Sequence, residues 1–284
     1  RSGIRMTQHD VAIIGGGIAG LMSAWYLARE GGRVVLFEAG DFGAAASGAN
    51  AGSLHLQIQY PEFVKYGEDW ARTYAPTLRF LKASLAMWQS LGDEVGEDLD
   101  VKLGGGIVVA HDAAQMRLIE EKAKIEAAVG IETHILNRFE LRRKAPYLSE
   151  DALGGGFCAG EGKANPLRVT PAIVRAAGAA GATLYRETPV FDLSGKAGKF
   201  SIETPRGTFR ADKVINTAGA KAADVAAMLG MKIELSGFPL QVSVTEPIAP
   251  LIPHLVYSAA GKLSLKQATN GGCIIGGGWA AHQR

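Results

Sequence analysis

Asp10-Val11-Ala12-Ile13-Ile14-Gly15-Gly16-Gly17-Ile18-Ala19-Gly20, continuing as LMSAWYLAREGGRVVLFE to Glu38, is the stretch that decides the fold. A short β-rich run meets a glycine cluster, and residues rich in helix formers follow up to Glu30. After Gly31-Gly32 a second apolar run, Arg33 to Phe37, ends at Glu38. That is a βαβ unit of about thirty residues, the size of a right-handed parallel crossover. Strands that read as unbroken apolar runs are buried on both faces. The glycines fit G-x-G-x-x-G with Gly15, Gly17 and Gly20. Gly15 permits the tight turn, Gly17 removes a side chain where backbone meets a pyrophosphate, and Gly20 lets helix pack on strand. The amides and positive end of the helix then face phosphate. Glu38 closes the second strand, where a carboxylate accepts hydrogen bonds from ribose hydroxyls and repels the 2′-phosphate of NADP.

The rest of the composition narrows the class. The 284 residues, 47% hydrophobic and 20% charged, can bury a sizeable core and make one large or two smaller domains. Residues Arg1 to Arg5 precede Met6 without periodicity and are read as a vector-derived remnant. Without Arg1 and Arg5 the 30 basic residues become 28 against 28 acidic ones, so the formal charge falls from +2 to zero. No basic stripe with interleaved aromatics is present, so nucleic acid is not an expected partner. Cys158 and Cys273 are too far apart for a metal pair and too few for a disulfide framework, which suits a reducing cytoplasm. The histidines, His9, His55, His111, His134, His254 and His282, are scattered, so no metal site is expected. The run Val11 to Ile14 is too short for a signal peptide or a membrane span, which needs about 20 residues.

Beyond Glu38 lies a small-residue loop, Ala39 to Ser53, and then a helical, aromatic stretch from Glu62 to Leu91 that Pro76 kinks or divides. A strand is predicted at Gly106 to Ala110, a charged helix at Ala113 to Val129, and a helix at Asn137 to Lys144 with Asn137 as N-cap. Gly154-Gly155-Gly156 opens a glycine-rich strand, and Pro171 to Gly181 reads as an Ala-rich helix with the proline in its first turn. Short strands follow at 200–204, 208–210 and 213–216, a helix at 221–229, and paired strands near 241–245, 262–266 and 273–276. The order implies two interleaved domains: 6–54 with 148–226 binding the nucleotide, and 55–147 with 227–284 binding substrate.

The choice of cofactor turns on Ser47-Gly48-Ala49-Asn50-Ala51-Gly52-Ser53-Leu54, whose small residues and exposed amides suit close approach by phosphate, ribitol and a flat ring. Taken with GKANPLRVTPAIVRAAGAAGA, KVINTAGAKA and PLQVSVTEP, the chain resembles the D-amino-acid oxidase and glycine/sarcosine oxidase family of FAD enzymes from about Asp10 to Gly278. Within it, the opine oxidase and D-hydroxyproline dehydrogenase branch is the nearest. The resemblance implies an α/β fold: a Rossmann-like FAD-binding domain with an interleaved α+β substrate domain built on an antiparallel sheet. It places Ile18, Ala19, Glu38, Ala39, Ala46, Ser47, Ala51, Gly52 and Ser53 at flavin contacts beside Gly15, Gly17 and Gly20, and Asn50 joins the cofactor candidates as part of the same small-residue loop. Val190 falls where backbone groups hold adenine, and Thr217-Ala218-Gly219 forms a second flavin-side turn.

The family oxidises the C–N bond of an amino acid, imino acid or opine by hydride transfer to flavin N5, followed by hydrolysis of the imine, and no protein acid or base is obligatory. No catalytic residue is therefore nominated. His55, Lys266 and Gln267 are candidates for facing the substrate, and Cys273 is read as a core thiol. Family members continue into a last segment that covers the flavin ring and usually brings an arginine for the substrate carboxylate. That segment is expected to be absent from these 284 residues, which are then expected to lack properly bound FAD. Opine-type relatives work as heteromeric complexes, so a partner chain is expected. Two alternatives stand beside the enzyme reading: a binding-only or partner-dependent flavoprotein subunit, and an NAD-dependent dehydrogenase using the same fingerprint.

Overall fold

The computed structural model describes residues 8–281; residues 1–5, whose reading as a remnant is an expectation of the sequence alone, and His282 lie outside them. In chain order come β1 (Gln8–Ile14), α1 (Ile18–Arg29), β2 (Val34–Phe37) and β3 (Ser53–Leu54). Next are α2 (Tyr60–Tyr74), a 3-10 turn (Ala75–Thr77), α3 (Leu78–Val95), β4 (Gly106–Ala110), α4 (Ala113–Ala127), β5 (His134–Asn137) and α5 (Arg138–Lys144). They are followed by β6 (Gly154–Cys158), β7 (Gly162–Lys163), α6 (Pro166–Ala179), β8 (Thr183–Tyr185), β9 (Asp192–Lys196), β10 (Lys199–Thr204), β11 (Gly207–Asn216) and α7 (Ala222–Ala227). The last strands are β12 (Ser243–Pro247), β13 (Leu255–Ser258), β14 (Ser264–Gln267) and β15 (Gly272–Gly276). These elements fall into two compact units: residues 8–50 with 166–239, and 51–165 with 240–281.

The first unit is built on a six-stranded sheet ordered β8-β2-β1-β11-β10-β9. Pairing is parallel from β8 through β11 and antiparallel from β11 to β9. Strand β1 is central, which is why Val11, Ala12, Ile13 and Ile14 are all buried. Helix α1 buries Gly20, Leu21, Ala24, Trp25 and Ala28, one face at helical spacing. It packs against α6. Helix α6 begins at Pro166, five residues before the predicted start, and carries Pro171 inside. Pro166 occupies a first position that needs no amide donor, whereas Pro171 removes one helical hydrogen bond. The buried face Val169, Thr170, Ala172, Ile173 and Ala177 keeps the helix intact around it.

The second unit carries a seven-stranded sheet ordered β12-β15-β14-β13-β4-β6-β5 and the small ladder β3-β7. It is antiparallel except where β13 joins β4. Pro76 divides α2 from α3 through the 3-10 turn, and Gly67 adds a break inside α2 (φ 78°, ψ −176°) that the sequence did not signal. Asn137 caps α5 by accepting from the Phe139 and Glu140 amides, with Glu140 returning the bond as a capping box.

All three domain boundaries differ from the sequence expectation. Residues 148–165 sit in the second unit because β6 pairs with β4 and β5 while β7 pairs with β3. The triple glycine of β6 reflects close sheet packing: a Cβ on Gly155 would lie 2.3 Å from the Val108 carbonyl oxygen. The β3-β7 ladder likewise draws Ala51 to Leu54 into the second unit, and residues 227–239 remain with the first.

Candidate functional site

In the first unit, strand register gathers the candidate nucleotide residues at one end of the sheet. Ile14 pairs with Phe37 on one side and Asn216 on the other, and Phe37 pairs with Tyr185. The segments that follow these strands, carrying Gly15, Glu38, Thr217 and Val190, therefore leave the carboxyl ends of four neighbouring parallel strands. That is where open α/β sheets bind ligands.

The turn after β1 is tight. Gly15 has φ +111°, and a Cβ there would lie 2.3 Å from the Thr217 carbonyl oxygen, so both backbone freedom and space demand glycine. A Cβ on Gly20 would stand 2.0 Å from the Gly15 carbonyl oxygen. Gly20 thus lets α1 seat directly on the turn, as its spacing implied. Gly17 is the N-cap of α1 and brings no capping side chain. Ser47 reaches in instead, its Oγ accepting from the Ile18 amide at 2.9 Å. Ala19 follows in the first turn of the helix, whose positive end suits an anion.

Glu38 is held as a rigid acceptor. Its Oε2 takes the Gly16 amide at 2.7 Å and its Oε1 the Gly40 amide at 2.8 Å. Each oxygen retains acceptor capacity for a hydroxyl. The Glu38 carbonyl accepts from the Thr188 amide at 2.8 Å, which ties the loop bearing Val190 to the end of β2. Thr217 donates through Oγ1 to the Ile14 and Gly15 carbonyls at 3.1 and 3.0 Å, locking Thr217-Ala218-Gly219 against the first glycine turn. Ala39 directly follows Glu38, and Ala46 and Asn50 belong to the loop around Ser47. Asn50 braces that loop by donating to the Ala46 and Ser47 carbonyls.

In the second unit, Ala51, Gly52 and Ser53 lead into β3, and His55, two residues beyond Ser53, lines a cavity of about 340 Å³. Its wall includes Gln57, Tyr60, Glu161, Tyr257 and Ser264. The Tyr257 hydroxyl lies 3.0 Å from His55 Nδ1. Burial holds the His55 imidazole below its ordinary range, with the Glu161 charge pulling the other way. Burial also raises the Tyr257 phenol, and Glu161 adds to the effect.

Glu161 is wholly buried. Its Oε1 accepts from the Leu56 and Gln57 amides at 2.8 and 3.0 Å, and its Oε2 from Gln57 Nε2 at 3.1 Å. Gln57 Oε1 in turn accepts from Lys122 Nζ at 3.0 Å, and Lys122 pairs with Glu126 at 2.6 Å, both fully buried. Glu161 and Tyr257 were not anticipated. A glutamate between Gly160 and Gly162, next to a glycine strand, was the available signal for the first; Tyr257 lies on β13, a strand the sequence reading overlooked.

Lys266 and Gln267 cannot both face a ligand, because successive residues of a strand point to opposite faces. Lys266 is buried with Nζ 2.5 Å from Ser53 Oγ, and burial, reinforced by Lys163, brings its ammonium down to about 7. Gln267 points the other way and is a structural clip. It accepts from the Leu251 and Ile252 amides and donates to the carbonyls of Ile248, Ala249 and Gly271. Its expected place beside the substrate is corrected accordingly. Cys273 is buried and hydrophobically packed. Among the described residues no group of three or more His, Cys, Asp or Glu could hold a metal ion, and no helix is long and apolar enough to cross a membrane.

Comparison with known proteins bears on this arrangement. Glycine oxidase of Geobacillus kaustophilus is 30% identical over 265 residues, which cover 89% of this chain and 66% of that protein. A subunit of the opine oxidase of Rhizobium meliloti is 26% identical over 281 residues, 95% of this chain and 71% of the relative. The chain therefore spans about two thirds of the length of these relatives. The crystal structure of the Geobacillus glycine oxidase superposes with a TM-score of 0.85 at 26% identity, covering 96% of this chain and 71% of that one. The family model described as DAO, FAD dependent oxidoreductase, matches residues 10–283. With nearly all of its length matched, and with a glycine turn and a fixed carboxylate at the ends of its parallel strands, this chain belongs to the DAO family of FAD-dependent oxidoreductases.

Proposed function

We propose that the protein oxidises the C–N bond of an amino acid, imino acid or opine, with the first unit holding FAD and the second holding the substrate. The observation that carries the substrate half is the small cavity lined by His55, Tyr257 and Glu161, whose buried carboxylate suits an amine. The residues of the first unit fit the adenosine diphosphate part of FAD. A Cβ on Gly17 would lie 2.9 Å from Ser47 Oγ, at the helix mouth where a pyrophosphate would sit. Glu38 would take the ribose hydroxyls, Val190 the adenine, and Thr217 to Gly219 would approach the flavin side of the nucleotide. Ala39, Ala46, Ser47, Ala51, Gly52 and Ser53 would line its path. When bound, FAD supplies the hydride acceptor. The chain's residues bind, orient and neutralise the amine.

Relatives named as a glycine oxidase and as one subunit of an opine oxidase support a substrate of the amino acid or opine class. The naming of the latter as a subunit supports a partner chain in a heteromeric complex. The two buried free cysteines support a reducing, cytoplasmic setting. The test is anaerobic titration of the FAD-loaded full-length protein with glycine, sarcosine, D- and L-proline and representative opines, following the flavin spectrum. Bleaching by at least one of these is expected. A protein that holds FAD, with its partner present, and is bleached by none of them is a binding-only flavoprotein.

A further inference from the structure

We propose that His55 is the proton acceptor for the substrate's ammonium group, oriented and charge-balanced by a Glu161–Tyr257–His55 chain; this rests on the amine-oxidising reading above. The hydrogen-bond directions follow from the donors available. Glu161 is surrounded by three donors, the Leu56 and Gln57 amides and Gln57 Nε2. An ionised carboxylate only accepts. Glu161 lines the same cavity and its charge acts on the Tyr257 hydroxyl, which orients the O–H towards that carboxylate. Its oxygen must then accept from His55 Nδ1–H, 3.0 Å away. That fixes the tautomer and leaves the lone pair of Nε2 as the free ring valence of a residue that lines the cavity.

The charges point the same way. Among the described residues, Lys122 is the one cation in the buried network that joins Glu126, Gln57 and Glu161, so one cation faces two carboxylates. An ammonium ligand or a protonated His55 at the cavity would place a second positive charge beside Glu161. The groups around His55 are Glu161, Tyr257 from β13 and Lys266 from β14, while Tyr60 and Glu62 of α2 and Lys262 line the same cavity. Burial lowers the His55 imidazole, the Glu161 charge favours its protonated form, and Lys266 opposes that to a smaller degree. A second pair, Tyr147 and His254 at 2.7 Å, provides a contrast. His254 packs edge-on to Phe157 and has no place on the cavity wall, so it serves packing.

In the proposed step one N–H bond of the substrate ammonium breaks and an Nε2–H bond forms on His55. The electron pair of the broken bond stays on the substrate nitrogen. Nothing is oxidised or reduced, and the positive charge moves to the imidazole. The lone pair so exposed is the one that oxidation of the C–N bond requires.

The deciding experiment measures kcat/KM against pH between 5.5 and 10 for the FAD-loaded full-length protein, with sarcosine and L- and D-proline as probes. For the wild type a rise at acid pH to a plateau through neutrality is expected. His55→Ala should lose roughly 10²- to 10⁴-fold at pH 7, then recover tenfold per pH unit and converge on the wild type as the probe's own amine deprotonates. Tyr257→Phe, which keeps the ring, should shift the profile the same way by a smaller factor. Parallel profiles, with His55→Ala lower by one factor at every pH, would overturn the proposal. A second readout needs no turnover. ¹⁵N spectra of histidine-labelled protein, with the His55 signal assigned by its loss in His55→Ala, should show the Nδ1–H tautomer in the wild type and a mixture in Tyr257→Phe. An Nε2–H tautomer in the wild type overturns the relay, whereas Nδ1–H in a protein that oxidises no probe supports the relay and counts against the amine-oxidising reading alone.

Discussion

Gly106 and Glu161 share one volume: a Cβ built on Gly106 would lie 1.8 Å from Glu161 Oε2. The missing side chain on β4 is what lets a fully buried carboxylate lie against the strand, on the wall of the cavity that Tyr257 and His55 also line. Gly106→Ala should therefore displace a carboxylate that accepts three hydrogen bonds, costing about 2–3 kcal/mol. In a Glu161→Ala background the same change should cost under about 1 kcal/mol, because the volume is then free. Urea denaturation of the four proteins measures this coupling. Additive costs would show that the two residues do not compete.

Glu38 is the residue on which nucleotide affinity should depend most among the side chains of the first unit. Both of its oxygens are aimed by backbone amides, Gly16 at 2.7 Å and Gly40 at 2.8 Å. Glu38→Ala should weaken FAD binding by about 10- to 100-fold, the value of charge-assisted bonds to hydroxyls. Quenching of FAD fluorescence on titration into flavin-stripped protein checks it. Unchanged affinity would remove Glu38 from the cofactor site.

The nucleotide half of this arrangement was legible because its signals are local. Gly15, Gly17, Gly20 and Glu38 lie within one βαβ unit, and the physical demands on each, a positive φ, a close approach, a strand-end carboxylate, are written in residue type and spacing. The substrate half was not. Glu161 reaches Leu56 and Gln57 across more than a hundred residues, and Lys122 reaches Gln57 across 65. Such contacts depend on sheet topology, here the β3-β7 ladder and the parallel joint of β13 with β4, which no local pattern encodes. The same gap explains Gln267: the family resemblance put its strand beside the substrate, but only the pairing of β14 reveals which face the residue takes.

Lys266 should make stability depend on pH. Its ammonium is ordinary at 10.5 in the unfolded chain and falls to about 7 in the fold, chiefly through burial and then through Lys163. Between those values the unfolded chain binds the extra proton, so stability rises with pH; below about 7 both states are protonated and the cost is present in full. Lys266→Met should raise Tm at pH 7 by about 5 °C, and the gain should disappear towards pH 10.5. Thermal melts of both proteins across that interval provide the check. A gain independent of pH would assign the effect to packing alone.

The thiols should be silent in the folded chain. Cys158 and Cys273 are both buried, and burial pushes the Cys158 thiol up to about 12, with Glu161 adding to the effect. A thiol-specific reagent at pH 8 should label neither until denaturant is added. Rapid labelling of Cys158 without denaturant would mean that the core beneath Glu161 opens readily.

Lys122 should be the costliest single charge to remove from the second unit. It pairs with Glu126 at 2.6 Å where neither side chain touches solvent, and Glu126 also accepts from the Ile58 amide at 2.7 Å and Thr133 Oγ1 at 2.9 Å. Lys122→Met leaves an uncompensated carboxylate in the core and should cost about 3–5 kcal/mol. Adding Glu126→Leu removes that charge, so the double variant should recover part of the loss. Recovery stays incomplete because the Ile58 amide is left without its acceptor, at about 1–3 kcal/mol. The urea midpoint of the double variant should thus fall between those of the wild type and Lys122→Met. A double variant less stable than the single one would show that Glu126 matters through its backbone and threonine contacts rather than as the counter-ion of Lys122.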